Sequence, residues 1–106
     1  PPFADLFSFT VTGADESRVI RAAKALRDAL GYAVERREEL KPLSIEVLGP
    51  AGASVVKVNN RYRYRVFLVG KGCPALRRLV AEYLYAFYQH KENRGLDIFA
   101  DCNAIQ

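Results

Sequence analysis

The sequence predicts a two-layer α+β sandwich in which two helices cover one face of a four-stranded antiparallel sheet. Two stretches repeat apolar residues at helical spacing on one side only, as helices with one buried face do. Four other stretches alternate apolar and polar residues, which is typical of half-buried strands. These elements follow one another as βαββαβ, the order of ferredoxin-like sandwiches. We expect the sheet order fourth, first, third, second strand.

The length and composition favour one small domain in a reducing setting. A chain of 106 residues suits a single domain spanning residues 1–106 with one core. Cys73 and Cys102 fit neither a metal spacing nor a disulfide framework, so we expect a cytoplasmic protein. No apolar run is long enough for a membrane span. Because the chain opens on Pro1 and contains no methionine, we expect it to be a piece of a longer protein.

The first strand and helix are the clearest elements. The strand is expected from Phe3 to Thr12, and three of its residues share the core face: Phe7, Phe9 and Val11. Gly13 breaks the strand, and the carboxylate of Asp15 is placed to cap a helix over about 15–30. Gly31 follows the last apolar position and predicts the end of that helix.

The middle of the chain predicts a linker and an elaborated hairpin. Residues 32–42 are dense in charges of both signs that compensate one another locally, which favours a linker or a short helical turn. The second strand is expected to end at Gly49-Pro50. A short extended segment, Val55–Val58, then precedes the turn at Asn59-Asn60, so the tip of the hairpin is long.

The third strand, Arg61–Val69, alternates basic and apolar residues. Its helix-facing side is expected to carry Tyr62, Tyr64, Val66 and Leu68. Its other side carries Arg61, Arg63 and Arg65, at a spacing of roughly 6–7 Å. Three cations on one sheet face repel one another unless an anion lies opposite. That anion is either a carboxylate, such as Glu46 on the second strand, or a nucleic-acid phosphate, and the sequence leaves both open.

The last two elements complete the pattern. A second helix is expected over 74–91, with Pro74 at its first position and Cys73 as its cap. The final strand is expected to point Leu96, Ile98 and Ala100 inward. Its outer residues are then Asp97, Phe99 and Asp101.

The chemistry of the sequence indicates binding rather than catalysis. Gly70-Lys71-Gly72 lacks the spacing of a phosphate-binding loop, and no Cys, His or carboxylate stands at ligand spacing from His90. We therefore predict no catalytic residue, no metal site and no cofactor in this chain. The net charge of +4 is compatible with nucleic-acid binding but does not require it. The DNA-binding candidates are Arg61, Arg63, Arg65 and Lys57, aided by Arg94.

A second binding mode follows if the third strand has the opposite parity. RNA-recognition domains have this topology and place aromatic residues on the open face of their third strand. With Phe67 and Val69 pointing inward, Tyr62 and Tyr64 would lie on that face and the chain would be a module for single-stranded nucleic acid.

Several stretches resemble one family. Pro1-Pro2-Phe3 looks like the point where the family leaves its second helicase lobe, and Gly49-Pro50-Ala51 looks like its hairpin. Arg61-Tyr62-Arg63-Tyr64 is similar to its Arg-Tyr-Arg-aromatic strand. At the end, Ala100–Ala104 departs from the usual Asp-x-Asp-Pro. The family is the C-terminal domain of primosomal protein N′ (PriA), the bacterial replication-restart DNA helicase.

The resemblance implies a role within a larger enzyme. The parent would be an ATP-dependent 3′→5′ DNA helicase that uses ATP, Mg and Zn through regions outside this chain. This domain would help recognise branched or forked DNA and dock single-stranded-DNA-binding protein and other primosome proteins, in the cytoplasm at the nucleoid. The family's docking residue lies near the start of the second helix, where this chain has Lys71, Arg77 and Arg78. The alternative is a non-catalytic docking domain that braces the helicase core.

Overall fold

The structure, a computed structural model, describes residues 4–105, with side chains from residue 4 to residue 103. In chain order the elements are β1 (Ala4–Gly13), α1 (Glu16–Arg36), β2 (Glu46–Val58), β3 (Arg61–Gly70), α2 (Pro74–Phe87) and β4 (Asp97–Ile105). The strands form one antiparallel sheet of order β2-β3-β1-β4, so the predicted α+β class and strand order are confirmed. Phe3, the predicted start of the first strand, lies outside the described residues.

Both helices pack on the same face of the sheet, as predicted. Phe9 of β1 and Leu68 of β3 share one buried cluster with Leu30 of α1 and Leu79 of α2. Burial of such side chains contributes roughly 1.5–3 kcal/mol each. The parity predicted for the third strand is also confirmed, because Tyr62 and Tyr64 pack against this cluster together with the buried Val66 (the arginines between them therefore face away from the helices).

Helix α1 is longer than the sequence predicts. Gly31 does not end it, and the helix continues to Arg36 because the apolar stripe continues through Ala33, which is buried, and Val34, which packs on the core. A glycine weakens a helix without terminating it when tertiary packing holds the following turn. Asp15 caps the helix as expected, accepting hydrogen bonds from the backbone N–H groups of Ser17 and Arg18.

The charged segment at the end of α1 was expected to pair its charges within itself, but one of its arginines makes a long-range ion pair. Arg37 donates two hydrogen bonds of 2.7 Å to the carboxylate of Glu82 on α2. These bonds lower the pKa of the Glu82 carboxyl below its ordinary value. Lys41 and Glu38, at 3.1 Å, do pair locally. The segment therefore ties the end of α1 to α2 before a short 3-10 turn at Lys41–Leu43 leads into β2.

Strand β2 does not end at Gly49-Pro50. It runs on to Val58, with register shifts against β3 between Leu48 and Ala51 and between Gly52 and Lys57. Gly49 adopts φ +103°, and a Cβ atom there would lie 2.8 Å from the backbone oxygen of Arg65. The glycine thus permits a bulge that brings β2 close to β3 and lets the strand continue.

Alanine substitutions at two glycines are expected to have opposite effects on stability. Gly49→Ala should destabilise the domain by about 1–3 kcal/mol because of its backbone conformation and the close oxygen. Gly31→Ala should stabilise it by about 0.5–1 kcal/mol, since a Cβ there meets nothing within 4 Å and the site is helical. Urea unfolding followed by circular dichroism measures both. Equal effects of the two substitutions would show that Gly49 is not required by the bulge.

The second helix is shorter than predicted and the last strand longer. Helix α2 ends at Phe87, whose carbonyl accepts a hydrogen bond of 2.8 Å from the amide side chain of Asn93. The Tyr88 hydroxyl accepts a hydrogen bond of 3.0 Å from the backbone N–H of Ile98, which anchors the turn to β4. Neither helix is long and apolar enough to cross a membrane, within residues 4–105.

Candidate nucleic-acid interface

The candidate interface is the open face, which we define as the sheet face turned away from α1 and α2. Its central row runs across all four strands and contains Ala51, Arg65, Thr10 and Phe99. The neighbouring rows place Arg63 beside Thr12 and Asp97, and Phe67 beside Ser8 and Asp101. Cationic residues therefore occupy β3 and carboxylates occupy β4, with the small polar residues of β1 between them.

Arg61 is held by a carboxylate of the same sheet. Its Nη2 atom lies 2.9 Å from Oδ2 of Asp97 and 3.2 Å from the hydroxyl of Thr12, so the side chain crosses β1 to reach β4. Glu46, the partner considered from the sequence, lies opposite Val69 at the far end of β3. The charge of Arg61 is therefore compensated inside the domain, although not by Glu46.

Arg63 and Arg65 have no such compensation. The Nε atom of Arg63 donates to the backbone oxygen of Val55 at 3.2 Å, which leaves its charge unpaired. The Nε atom of Arg65 is buried and has no hydrogen-bond partner among the described residues. Within residues 4–103, no carboxylate lies within 4.0 Å of either guanidinium group. Two adjacent cations on the open face thus lack an ion-pair partner among residues 4–103.

Thr10 forms the floor between Arg65 and Phe99. It is only 1% exposed although no helix covers this side of the sheet, so its neighbours on the open face must shield it. Its hydroxyl is buried and has no partner among the described side chains. Buried hydroxyl groups are normally hydrogen-bonded, and exceptions point to strain, water or a ligand.

The open face also carries exposed apolar residues. Phe99 is 45% exposed and Leu48 is 47% exposed, and Phe67 is half-buried beside them. The outward position of Phe99 was predicted from the alternation of the last strand. Phe67 was missed as a site residue. It follows Arg65 by two positions on the same strand, so the alternation of side chains already predicted that both lie on the open face.

Lys57 is not brought together with the arginines. It pairs with Tyr62 in the sheet register, and cross-strand partners share a face. Its Nζ atom lies 5.2 Å from the centre of the Tyr62 ring, a cation–π contact. Lys57 therefore lies on the tyrosine side of β3. Arg94, the other supporting cation considered from the sequence, lies in the exposed turn before β4.

The reversed parity of the third strand is wrong. The hydroxyl of Tyr64 donates a hydrogen bond of 2.7 Å to the carboxylate of Glu16 at the start of α1, and this bond raises the pKa of the phenol. Tyr62 packs against the core on the same side. The aromatic residues of the open face are instead Phe67 and Phe99.

The docking candidates form a second basic region. Lys71 lies in the loop after β3, while Arg77 and Arg78 lie in the first two turns of α2, and all three are exposed. Gly70 ends β3 five residues beyond Arg65, so about 16 Å of strand separates Lys71's loop from the unpaired arginine. This basic region is therefore distinct from the arginines of the open face.

The described residues hold no assembled ligand set for a metal. No three His, Cys, Asp or Glu side chains come together among them. A cavity of about 260 Å³ lies between the helices, and its lining is mainly apolar, including Ala22, Leu26 and Phe87, with His90 at its edge.

Comparison with known proteins places these features in a family. The family described as "Primosomal protein N C-terminal domain" matches residues 1–103. A relative from Deinococcus radiodurans, named "Probable replication restart protein PriA", is 36% identical over 80 residues, which cover 76% of this chain and 8% of the relative. The de novo designed protein Foldit4 superposes with a TM-score of 0.65 at 14% identity, over 97% of this chain and 99% of that one, a likeness of fold alone. The chain therefore belongs to the family of primosomal protein N C-terminal domains.

Proposed function

We propose that this chain is a DNA-binding accessory domain of a replication-restart helicase, and that it helps recognise branched or forked DNA. One observation carries the proposal: Arg63 and Arg65 lie side by side on the open face without a carboxylate partner among residues 4–103. Guanidinium groups suit phosphate oxygens in charge and in geometry. Family membership supplies the setting, since the bacterial relative is named as a replication restart protein.

In this proposal, the catalytic reactions are carried out by regions of the parent protein outside this chain. The chain spans 8% of the length of the relative, so most of that protein lies elsewhere. ATP hydrolysis with Mg, zinc binding and strand unwinding are proposed for those other regions, and this chain is proposed to be non-catalytic. The assembled protein would act in the cytoplasm, at the nucleoid.

Protein docking is proposed for the second basic region. Lys71, Arg77 and Arg78 are exposed, and no described carboxylate lies within 4.0 Å of them. Such a region suits an acidic segment of single-stranded-DNA-binding protein or of another primosome protein. Because it is separate from the open face, DNA and protein partners could bind at the same time.

A second candidate function is that of a docking domain that braces the helicase core without touching DNA. The exposed Leu48 and Phe99 favour it, since apolar residues on a sheet face also suit contact with another domain. In that case Arg63 and Arg65 would pair with carboxylates elsewhere in the parent protein. The two functions differ in whether the chain alone binds DNA.

Titration of the chain against DNA at two salt concentrations tests the proposed function. Labelled duplex, single-stranded and forked oligonucleotides of equal length are titrated at 50 and 200 mM salt, with fluorescence anisotropy as the readout. We expect binding to all three, with log affinity falling by about 0.9 per phosphate contact on duplex DNA for each tenfold rise in salt. Absence of binding to every DNA at the lower salt concentration would favour the bracing function.

A further inference from the structure

Phe67 and Phe99 flank the unpaired arginine on the open face. Phe99 lies directly across β1 from Arg65, with Thr10 between them, and Phe67 follows Arg65 by two positions on the same face of β3. Adjacent strands are about 4.8 Å apart, so roughly 10 Å separates the backbones at Arg65 and Phe99. From this arrangement we infer that the open face is a platform for single-stranded DNA. This inference rests on the proposed function, because it names the form of DNA that the face prefers.

The stacking surface is provided by the two rings. Phe99 is nearly half exposed, and its strand β4 pairs with the central strand β1. The backbone that carries the ring is therefore held in place by the sheet. Aromatic rings on a sheet accept the faces of unpaired bases, and every base has such a face. A base above Thr10 reaches Phe99 while its phosphate lies over β3.

The phosphate position is defined by the two arginines of the open face. Arg65 is half-buried, and no carboxylate lies within 4.0 Å of its guanidinium group among residues 4–103, so this group can donate to a phosphate oxygen. Its Nε atom and the hydroxyl of Thr10 are buried beneath that position. Arg63, one row away on β3, then meets the next phosphate along the strand.

The distribution of charge favours one strand over two. Cations lie on β3, whereas β4 carries the exposed carboxylate of Asp101 beyond the phenylalanines. A duplex on this face would bring the sugar-phosphate backbone of its second strand towards that carboxylate. Its bases would remain paired and stacked on one another, so they would not contact the phenylalanine rings. A single strand can place its phosphates on the arginine side and its bases on the phenylalanine side.

Phe99→Ala tests the inference because it removes a ring and no charge. Anisotropy titrations of the chain use a single-stranded oligothymidine and a duplex of equal length, at one salt concentration. Loss of one stacked base is expected to weaken single-strand binding about 5- to 150-fold. Duplex binding should change less than about twofold. Phe99→Tyr, which keeps the ring, should bind like the parent chain, and Phe99→Leu, which keeps apolar surface, should weaken binding as alanine does.

The outcomes separate this inference from the proposed function. Unchanged single-strand affinity in Phe99→Ala would overturn it, and the open face would then be better explained as a contact surface for another domain. An equal loss for both DNA forms would also overturn it, because the open face would then bind DNA without preferring a single strand. Tyr85→Ala, at an exposed tyrosine on α2, is the control and should leave both affinities unchanged. If the unmodified chain binds neither DNA form, the proposed function fails as well. If the alanine variant does not fold, Phe99→Leu decides the question alone.

Discussion

Replacing Arg63 and Arg65 together by alanine is expected to weaken binding to duplex, single-stranded and forked DNA and to make the remaining binding less sensitive to salt. Each phosphate contact contributes about −0.9 to the slope of log affinity against log salt on duplex DNA, so the double variant should lose about 1.8 of slope. Between 50 and 200 mM salt, the unmodified chain should then lose about tenfold more affinity than the variant. Anisotropy titrations with a duplex at both salt concentrations measure this difference.

The matched control removes the same charge from another place. Arg77→Ala with Arg78→Ala deletes two cations from the second basic region, so it reproduces the change in net charge but not the change in the open face. A nonspecific effect of net charge would lower both slopes equally. An unchanged slope in the Arg63/Arg65 variant would instead show that these arginines are structural and do not contact phosphate.

The double variant should remain folded. Partly exposed charged groups contribute about 0–1 kcal/mol each, and neither arginine has an ion pair to lose among the described residues. Arg61 is less suitable for this experiment. Its removal would leave the Asp97 carboxylate without its ion-pair partner, and stability and binding would change together.

The fold was predictable because its main signals are local and repetitive. The alternation of β3 placed Tyr62 and Val66 on the core side and the arginines on the other, and the burial of Val66 agrees. Two glycines were wrongly predicted to end the elements that contain them. Gly31 lies inside a helix that packing extends, and Gly49 permits a bulge where a strand end was expected. Glycine permits backbone conformations that other residues avoid, and the surrounding tertiary structure determines which conformation it adopts.

The sequence predicted the sheet face on which the candidate arginines lie, but it did not predict their pairing. Alternation alone makes the three arginines equivalent, yet Asp97 pairs with Arg61, although the register places Asp97 in the row of Arg63. Lys57 was grouped with the arginines because it is a nearby cation in the hairpin. The two register shifts of β2 place it opposite Tyr62, on the other face. Such pairings depend on strand order and bulges, which a periodic pattern does not encode.

Alanine in place of Phe9 is expected to cost about 3–5 kcal/mol of unfolding free energy, whereas the same substitution at Phe99 should cost less than about 1 kcal/mol. Phe9 is 0% exposed on the central strand and packs between the sheet and both helices, so its removal leaves a cavity. Phe99 points to the open face and leaves none. Because small domains are stabilised by only about 5–15 kcal/mol, Phe9→Ala should remove about a fifth or more of the total.

This pair of substitutions tests the orientation of the sheet on which the proposed interface depends. Both remove the same side chain from strands of one sheet, so differences in residue type cannot account for a difference in effect. Urea unfolding followed by circular dichroism gives both free energies, and the denaturant dependence shows whether the unfolding remains two-state. Similar large losses at Phe9 and Phe99 would mean that the open face is buried in the folded chain. Arg63 and Arg65 would then be inaccessible to DNA, and the open face could not be its binding surface.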